Sequence, residues 1–382
     1  MRLRTVVKLG TIISVLLFVV AVGYYAFMQL DMADRNRDIN LYSLVPADCI
    51  AVLESDDISA FLHECSNLNY ASELERLQFP GLFNFIIGGL TEYTTENAHG
   101  LSSQMNRLLV SFHAPCGPRD QVIYFQTGTA DETLLDDMLQ EYMPDRFLPK
   151  EEIYRGEKIV VYPLNHEEYL SVYAQSGFLA VSYQKMLIEK VIDANLDDES
   201  LKDDAVFSQV LKGKKNQFLT LYTYGPVMPM MQQEEAAGWS EFDFHLNSDV
   251  LYLTGDNYLS SEVELTDLVS DNLQETPFVR QEGLLISADK DSTQWYMDKA
   301  YEENVLNKQS FFNECVANLS YEACFSLVAD MQCLDSDSQL LRPYLPAFIW
   351  NNAPLFSSFV LSAQYSLVNG KLSHIWTFTY KH

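Results

Sequence analysis

An α+β fold behind a membrane anchor is what this sequence predicts: an N-terminal transmembrane helix, then an extracytoplasmic domain of antiparallel sheets with helices packed on one face. Three observations predict it. Leu9 to Leu30 is a run of 22 residues without a charge, closed by Asp31 and Asp34. Four apolar runs each end at a polar cap and pass into a helical period. Hairpin signals lie between these units, the clearest at Asn369-Gly370.

As a helix rising 1.5 Å per residue, the first run spans about 33 Å, close to the roughly 30 Å hydrocarbon thickness of a bilayer. Lipid offers no partner to a peptide group, so the run closes its hydrogen bonds internally. Arg2, Arg4 and Lys8 stand on its N-terminal side, which keeps the N-terminus cytoplasmic and sends the rest of the chain across. Tyr24 and Tyr25 lie toward the outer interface. A cleaved signal peptide is the competing reading. Against it, the run exceeds the 7 to 15 residues usual for a signal core, and bulky Tyr24, Tyr25 and Phe27 follow the small pair Ala21 and Gly23.

Beyond the anchor the chain carries 22 Lys and Arg against 53 Asp and Glu, a net charge of −31. That field repels phosphate backbones and anionic headgroups, so nucleic acid is excluded as a partner and charge-driven membrane adsorption is disfavoured. Hydrophobic residues at 48% and aromatics at 13% supply a core, and disorder is not expected. The expected layout is a cytoplasmic tip over 1–8, the anchor over 9–30, a juxtamembrane linker over 31–40, and two α+β halves over 41–196 and 205–382. The acidic stretch from Asp197 to Asp204 divides them and reads as a surface loop.

In the first unit, Ile50 to Leu53 reads as a strand, Glu54 to Asp57 as its cap, and Ile58, Phe61, Leu62 and Cys65 as one helical face. Val122 to Phe125 then leads through the capping pair Thr129 and Glu132 to a helix along Leu134, Leu135, Met138, Leu139 and Tyr142. Gly177 to Val181 leads through Ser182 to Met186, Leu187, Lys190, Val191 and Ala194. Gly283 to Ile286 leads through Ser287 to a helix including Trp295, Tyr296 and Lys299. Aligning Gly177–Ser182 with Gly283–Ser287, about 106 residues apart, hints at two related halves.

Arg155-Gly156 and Ser176-Gly177 suggest further reversals. The Asn369-Gly370 turn fixes a register pairing Leu367 with Leu372, Tyr365 with His374, Ala363 with Trp376, Leu361 with Phe378 and Phe359 with Tyr380. His374, on that apolar face, reads as a core histidine.

Six cysteines, Cys49, Cys65, Cys116, Cys315, Cys324 and Cys333, allow 15 pairings without choosing one. Cys49 and Cys65 read first as small core residues. No metal and no cofactor is expected: His63-Glu64 and His166-Glu167 lack the second zincin histidine, and Asp335, Asp337 and Gln339 lack the glycine and terminal glutamate of a calcium loop. Ser182-Tyr183-Gln184-Lys185 with Ser270-Asp271-Asn272 imitates an acylating-serine enzyme, but the chain has no Lys-Thr-Gly, and Ser287 to Lys290 repeats the first spacing. A helix cap is the plainer role for these serines. The two stretches Tyr222–Met231 and Leu341–Trp350 read as covered core, with a docking patch or an apolar ligand pocket as the rival reading.

Leu44-Val45-Pro46-Ala47-Asp48 running into a strand, Gly177–Ser182 before a helix, and Trp239 with Asp243 ahead of another strand resemble a group of bacterial single-anchor envelope proteins known only as a domain of unknown function. The resemblance lies in layout over most of residues 40 to 380 and implies a single-pass protein of the bacterial inner membrane, its C-terminal domain periplasmic. It brings no catalytic residues, so none is assigned. The expected function is that of a non-catalytic scaffold or accessory subunit with an envelope protein partner. The alternatives are a serine acyl-transferring or hydrolytic enzyme using Ser182 and Lys185, and a carrier of an apolar ligand.

Overall fold

The computed structural model describes residues 39–71, 107–117, 119–127, 148–163, 168–175, 177–197, 199–214, 219–231, 236–260, 264–307, 310–333, 338–346, 349–350 and 353–381. The anchor over 9–30 and the helix expected along Leu134 to Tyr142 lie outside them, as do Cys333's side chain, His166, Asp335 and Asp337. Among the described residues no helix is long and apolar enough to cross a membrane.

Strand-to-helix passages form at the first, third and fourth units, but Ser182 and Ser287 close their strands and accept from the Gln184 and Asp289 N–H groups ahead of the helices, so they are not the helix caps expected. β1 (Ala51–Ser55) gives way to α1 (Ile58–Ser66), where the Asp57 carboxylate accepts from the Ala60 N–H at 2.9 Å and satisfies one orphan donor of the first turn. β2 (Leu108–Phe112), β3 (Gln121–Gln126), β4 (Lys150–Tyr154), β5 (Glu157–Pro163), β6 (Tyr169–Gln175) and β7 (Phe178–Ser182) follow, then α2 (Lys185–Asp197) and α3 (Phe207–Gly213). The second half holds β8 (Thr220–Pro226), β9 (Ala237–Leu246), β10 (Val250–Leu259), α4 (Leu265–Glu275), β11 (Val279–Gln281), β12 (Leu284–Ser287), α5 (Lys290–Asn307), α6 (Phe311–Ala317), β13 (Phe325–Asp330), β14 (Phe359–Val368) and β15 (Lys371–Tyr380).

The fifteen strands of the described residues join one sheet in the order β11-β12-β13-β14-β15-β10-β9-β8-β1-β2-β3-β7-β6-β5-β4, and each neighbouring pair in it is antiparallel. The halves meet edge to edge through their first strands, with Val52 opposite Tyr222 and Glu54 opposite Thr220. Each half repeats one plan. Three consecutive strands run outward from the seam, and the last strand of the half, β7 or β15, returns beside the third, β3 or β10. This places the repeat elsewhere than the Gly177 and Gly283 alignment, because β7 lies inside its half while β12 lies next to the outer edge.

Asn369 and Gly370 both have positive φ, 53° and 75°, and the register of β14 on β15 is the one the turn demands, Leu367 opposite Leu372 through Phe359 opposite Tyr380. Arg155 and Gly156 make the same turn between β4 and β5.

Helices pack on both faces of the sheet, a correction to the one-face expectation. Leu268 and Val269 of α4 pack with Leu284 and Leu327, while Met297, Ala300 and Val316 of α5 and α6 pack with Leu285 and Val328, their neighbours on the opposite face. Strands whose residues are buried throughout, such as β3, β7 and β12, need cover on both sides, and their unbroken apolar runs were the sign of it. In the first half α2 lies over β5, β6, β7 and β3, with Leu187, Ile188 and Val191 against Tyr124, Tyr173 and Ala180. The acidic stretch expected as a surface loop itself joins this core through buried Leu201, and the segment after it does so through Phe207 and Val210.

Candidate functional site

The Ser182–Lys185 pair is not assembled for chemistry. Ser182 has no exposed surface; its hydroxyl donates to the Gln121 carbonyl at 2.6 Å and accepts from the Gln184 N–H at 3.1 Å. Lys185 instead points to Glu152 at 2.8 Å and Glu189 at 3.3 Å. Those carboxylates raise its pKa, which favours the cation over a general base. Ser270-Asp271-Asn272 belongs to α4, whose core face lies on the other side of the sheet in the other half. Ser287 is likewise buried, accepting from Thr293 Oγ1 at 2.8 Å and from the Asp289 N–H at 3.3 Å.

A different cluster has the order of groups that acyl-transfer enzymes use. Ser111 and His113 lie two residues apart at the end of β2 and so share the face covered by α2. His113 Nε2 sits 2.9 Å from Ser111 Oγ, and its Nδ1 is 3.5 Å from Asp48 Oδ1. Lys190 of α2 pairs with the other Asp48 oxygen. Ser111 Oγ also meets Tyr124 OH at 3.1 Å. Acid, imidazole and hydroxyl thus stand in sequence.

The electrostatics make it a fastening. Burial pulls the His113 pKa below its ordinary value against the raising influence of Asp48, so the neutral ring is favoured. Burial alone would raise Asp48, but the hydrogen bond and charge of Lys190 outweigh it and hold the carboxyl below its usual range. Ser111 is 0% exposed and His113 3%, so no substrate reaches the hydroxyl. The cluster ties the turn before β1, the β2–β3 pair and α2 together. Sequence reading missed it, and the available signal was faint: polar residues at alternate positions in the apolar run Leu108 to His113.

A second polar cluster bridges the seam. Tyr42 OH donates to Glu54 Oε2 at 2.5 Å, Lys214 meets Glu54 at 2.8 Å and Asp56 at 3.3 Å, and Thr220 Oγ1 donates to Asp243 Oδ1 at 2.8 Å. His374 is buried as expected of a core residue; its Nδ1 accepts from Asn257 Nδ2 at 3.0 Å, and burial lowers its pKa to about 4.

The two apolar stretches are mainly interior. Tyr222, Val227, Met228 and Met231 are buried, with Tyr224 exposed, and Leu341, Tyr344, Leu345 and Ile349 belong to the second-half core. Among the described residues neither stretch offers a continuous docking patch. Cys49 is buried and Cys65 half-buried; these two, with Cys116, Cys315 and Cys324, are free thiols. Among the described residues no group of three or more His, Cys, Asp or Glu is arranged to hold a metal ion.

No protein family is matched by this sequence, and no curated protein matches it. A solved structure titled "Structure of crystal form I of TP0453" is similar over 62% of this chain and 86% of that one, at 11% identity and a TM-score of 0.32, a likeness too slight to transfer fold or role.

Proposed function

We propose that this chain is a single-pass protein of the bacterial inner membrane whose acidic periplasmic α+β domain works by binding, as a scaffold or accessory subunit of an envelope assembly. The observation that carries the reading is the uncharged run Leu9–Leu30 behind Arg2, Arg4 and Lys8, with few residues between it and Ile39, which packs on the first core. The intervening 31–38 can span no more than about 28 Å even fully extended, so the domain is held beside the bilayer. A binding role is supported by the burial of Ser111 beside His113 and of Ser182 near Lys185, two serines with potential acid–base neighbours that are both sealed from solvent. The acidic surface favours partners that are neutral or basic.

The test is in-cell crosslinking of the full-length protein followed by mass spectrometry, with residues 39–382 exported alone as control. Reproducible partners seen only with the anchored form support the reading. A protein recovered alone in both forms, or fractionating away from the membrane, sinks it.

A further inference from the structure

We propose that the exposed aromatic cluster where β11 meets α5, built from Phe278, Trp295 and Tyr296, binds a neutral saccharide chain, a ligand additional to any protein partner. Surface rings standing singly need no explanation, whereas three in contact do. Trp295 is 55% and Phe278 44% exposed, and Tyr296, touching both, is half-buried. The rings are held from beneath. Thr293, Met297 and Ala300 are buried on the side of α5 opposite Trp295, and Met297 and Ala300 pack with Leu285 of β12. Strand alternation puts Phe278 and Arg280 on the face that α5 covers, while Val279 packs against the core of the other face.

Phe278 stacks on Tyr296 at 5.3 Å between centroids and 18° between planes, and Trp295 meets Tyr296 edge to face at 4.5 Å and 85°. Two cations lie against the rings: the Arg280 guanidinium carbon is 4.3 Å from the Tyr296 centroid, and Lys299 Nζ is 5.1 Å from that of Trp295. Asp291, Asp298 and Glu302 are exposed on the same stripe of α5 as the indole. Aromatic faces and charges of both signs thus alternate within one small area.

Those neighbours select the ligand. Three carboxylates beside the indole oppose a phosphate or a lipid headgroup, and two cations on the rings oppose a basic peptide. A flat protein surface would strip water from charges of both signs, and interface cores are depleted of charge for that reason. A pyranose ring meets every condition at once. Its C–H bonds lie against the negative face of an aromatic ring, and the hydroxyls round its rim donate to carboxylates and accept from guanidinium and ammonium groups.

The test titrates the full-length protein, held in a detergent without a sugar headgroup, with an oligomer of N-acetylglucosamine and separately with an oligomer of glucose. Trp295 is the exposed indole, Trp239 and Trp376 being buried and Trp350 half-buried, so a bound sugar changes the tryptophan emission saturably. Calorimetry gives the affinity of the variants, because Trp295→Ala deletes the reporter. Expected is a loss of roughly ten-fold for Trp295→Ala and for Phe278→Ala, with most of it recovered in Trp295→Phe. Tyr301→Ala, at an exposed ring on another side of α5, should change nothing. Circular dichroism melts establish that each variant folds. Binding of one oligomer and not the other supports the site and names its sugar. A flat titration with both overturns the proposal, as does equal affinity in Trp295→Ala, or a response to phosphatidylglycerol vesicles or polylysine but to neither sugar. Partners captured by crosslinking alongside a flat titration would leave the scaffold reading standing, and sugar binding by a protein that captures no partner would leave this site standing without it.

Discussion

Ser111 and His113 meet hydroxyl to imidazole at 2.9 Å inside the first core, where the serine is 0% and the histidine 3% exposed. The contact looks like half of a catalytic triad, but its surroundings give it a structural role. Ser111→Ala removes a hydroxyl that both His113 and Tyr124 contact, so it should cost on the order of 1 to 3 kcal/mol of unfolding free energy in urea titration. A change below about 0.3 kcal/mol would show that the cluster does not hold the turn, strand pair and helix together.

Stability should fall on mild acidification. Burial lowers His374 from 6.5 to about 4 and also lowers His113, so the unfolded chain takes up protons at these sites before the native chain does. The linkage slope is then positive: stability is full above about pH 6.5 and declines as pH falls toward 4, by roughly 3 kcal/mol for His374 alone. Urea midpoints at pH 7.5 and 5 measure it. His374→Gln, which retains an acceptor for Asn257, should shrink the difference between the two.

Gly255 stands where β10 passes over β9, and a Cβ there would lie 1.8 Å from the Glu241 carbonyl oxygen. Backbone cannot give way as a side chain can. Gly255→Ala should cost more than about 3 kcal/mol or prevent folding, whereas an alanine at Gly225, with nothing within 4 Å of its Cβ, should cost far less. Equal melting temperatures for the two variants would contradict the close approach.

The Ser182 and Lys185 substitutions should separate cleanly. Ser182→Ala removes a buried donor to the Gln121 carbonyl and should lower stability by about 1 to 2 kcal/mol. Lys185→Met breaks only solvent-facing ion pairs and should leave the thermal midpoint unchanged within error. If an acyl-serine probe labelled the wild type and lost its label in Ser182→Ala, the buried, structural assignment of Ser182 would fail.

The sequence by itself determined the local parts: a cap within Glu54–Asp57, part of the apolar face of α2 (Leu187, Val191 and Ala194, though exposed Met186 stood in it and buried Ile188 and Ile192 did not), and the whole β14–β15 register from Asn369-Gly370. These depend on groups a few residues apart, on φ > 0 at a turn and an orphan N–H at a helix start. Tertiary structure decided the pairing of β1 with β8, helices on both faces, and the meeting of Asp48, His113 and Lys190 from three separate elements. An apolar strand states that it will be buried and leaves its neighbour unnamed. Which distant strand pairs with it is settled only when chain closure and burial of the whole sheet are satisfied together.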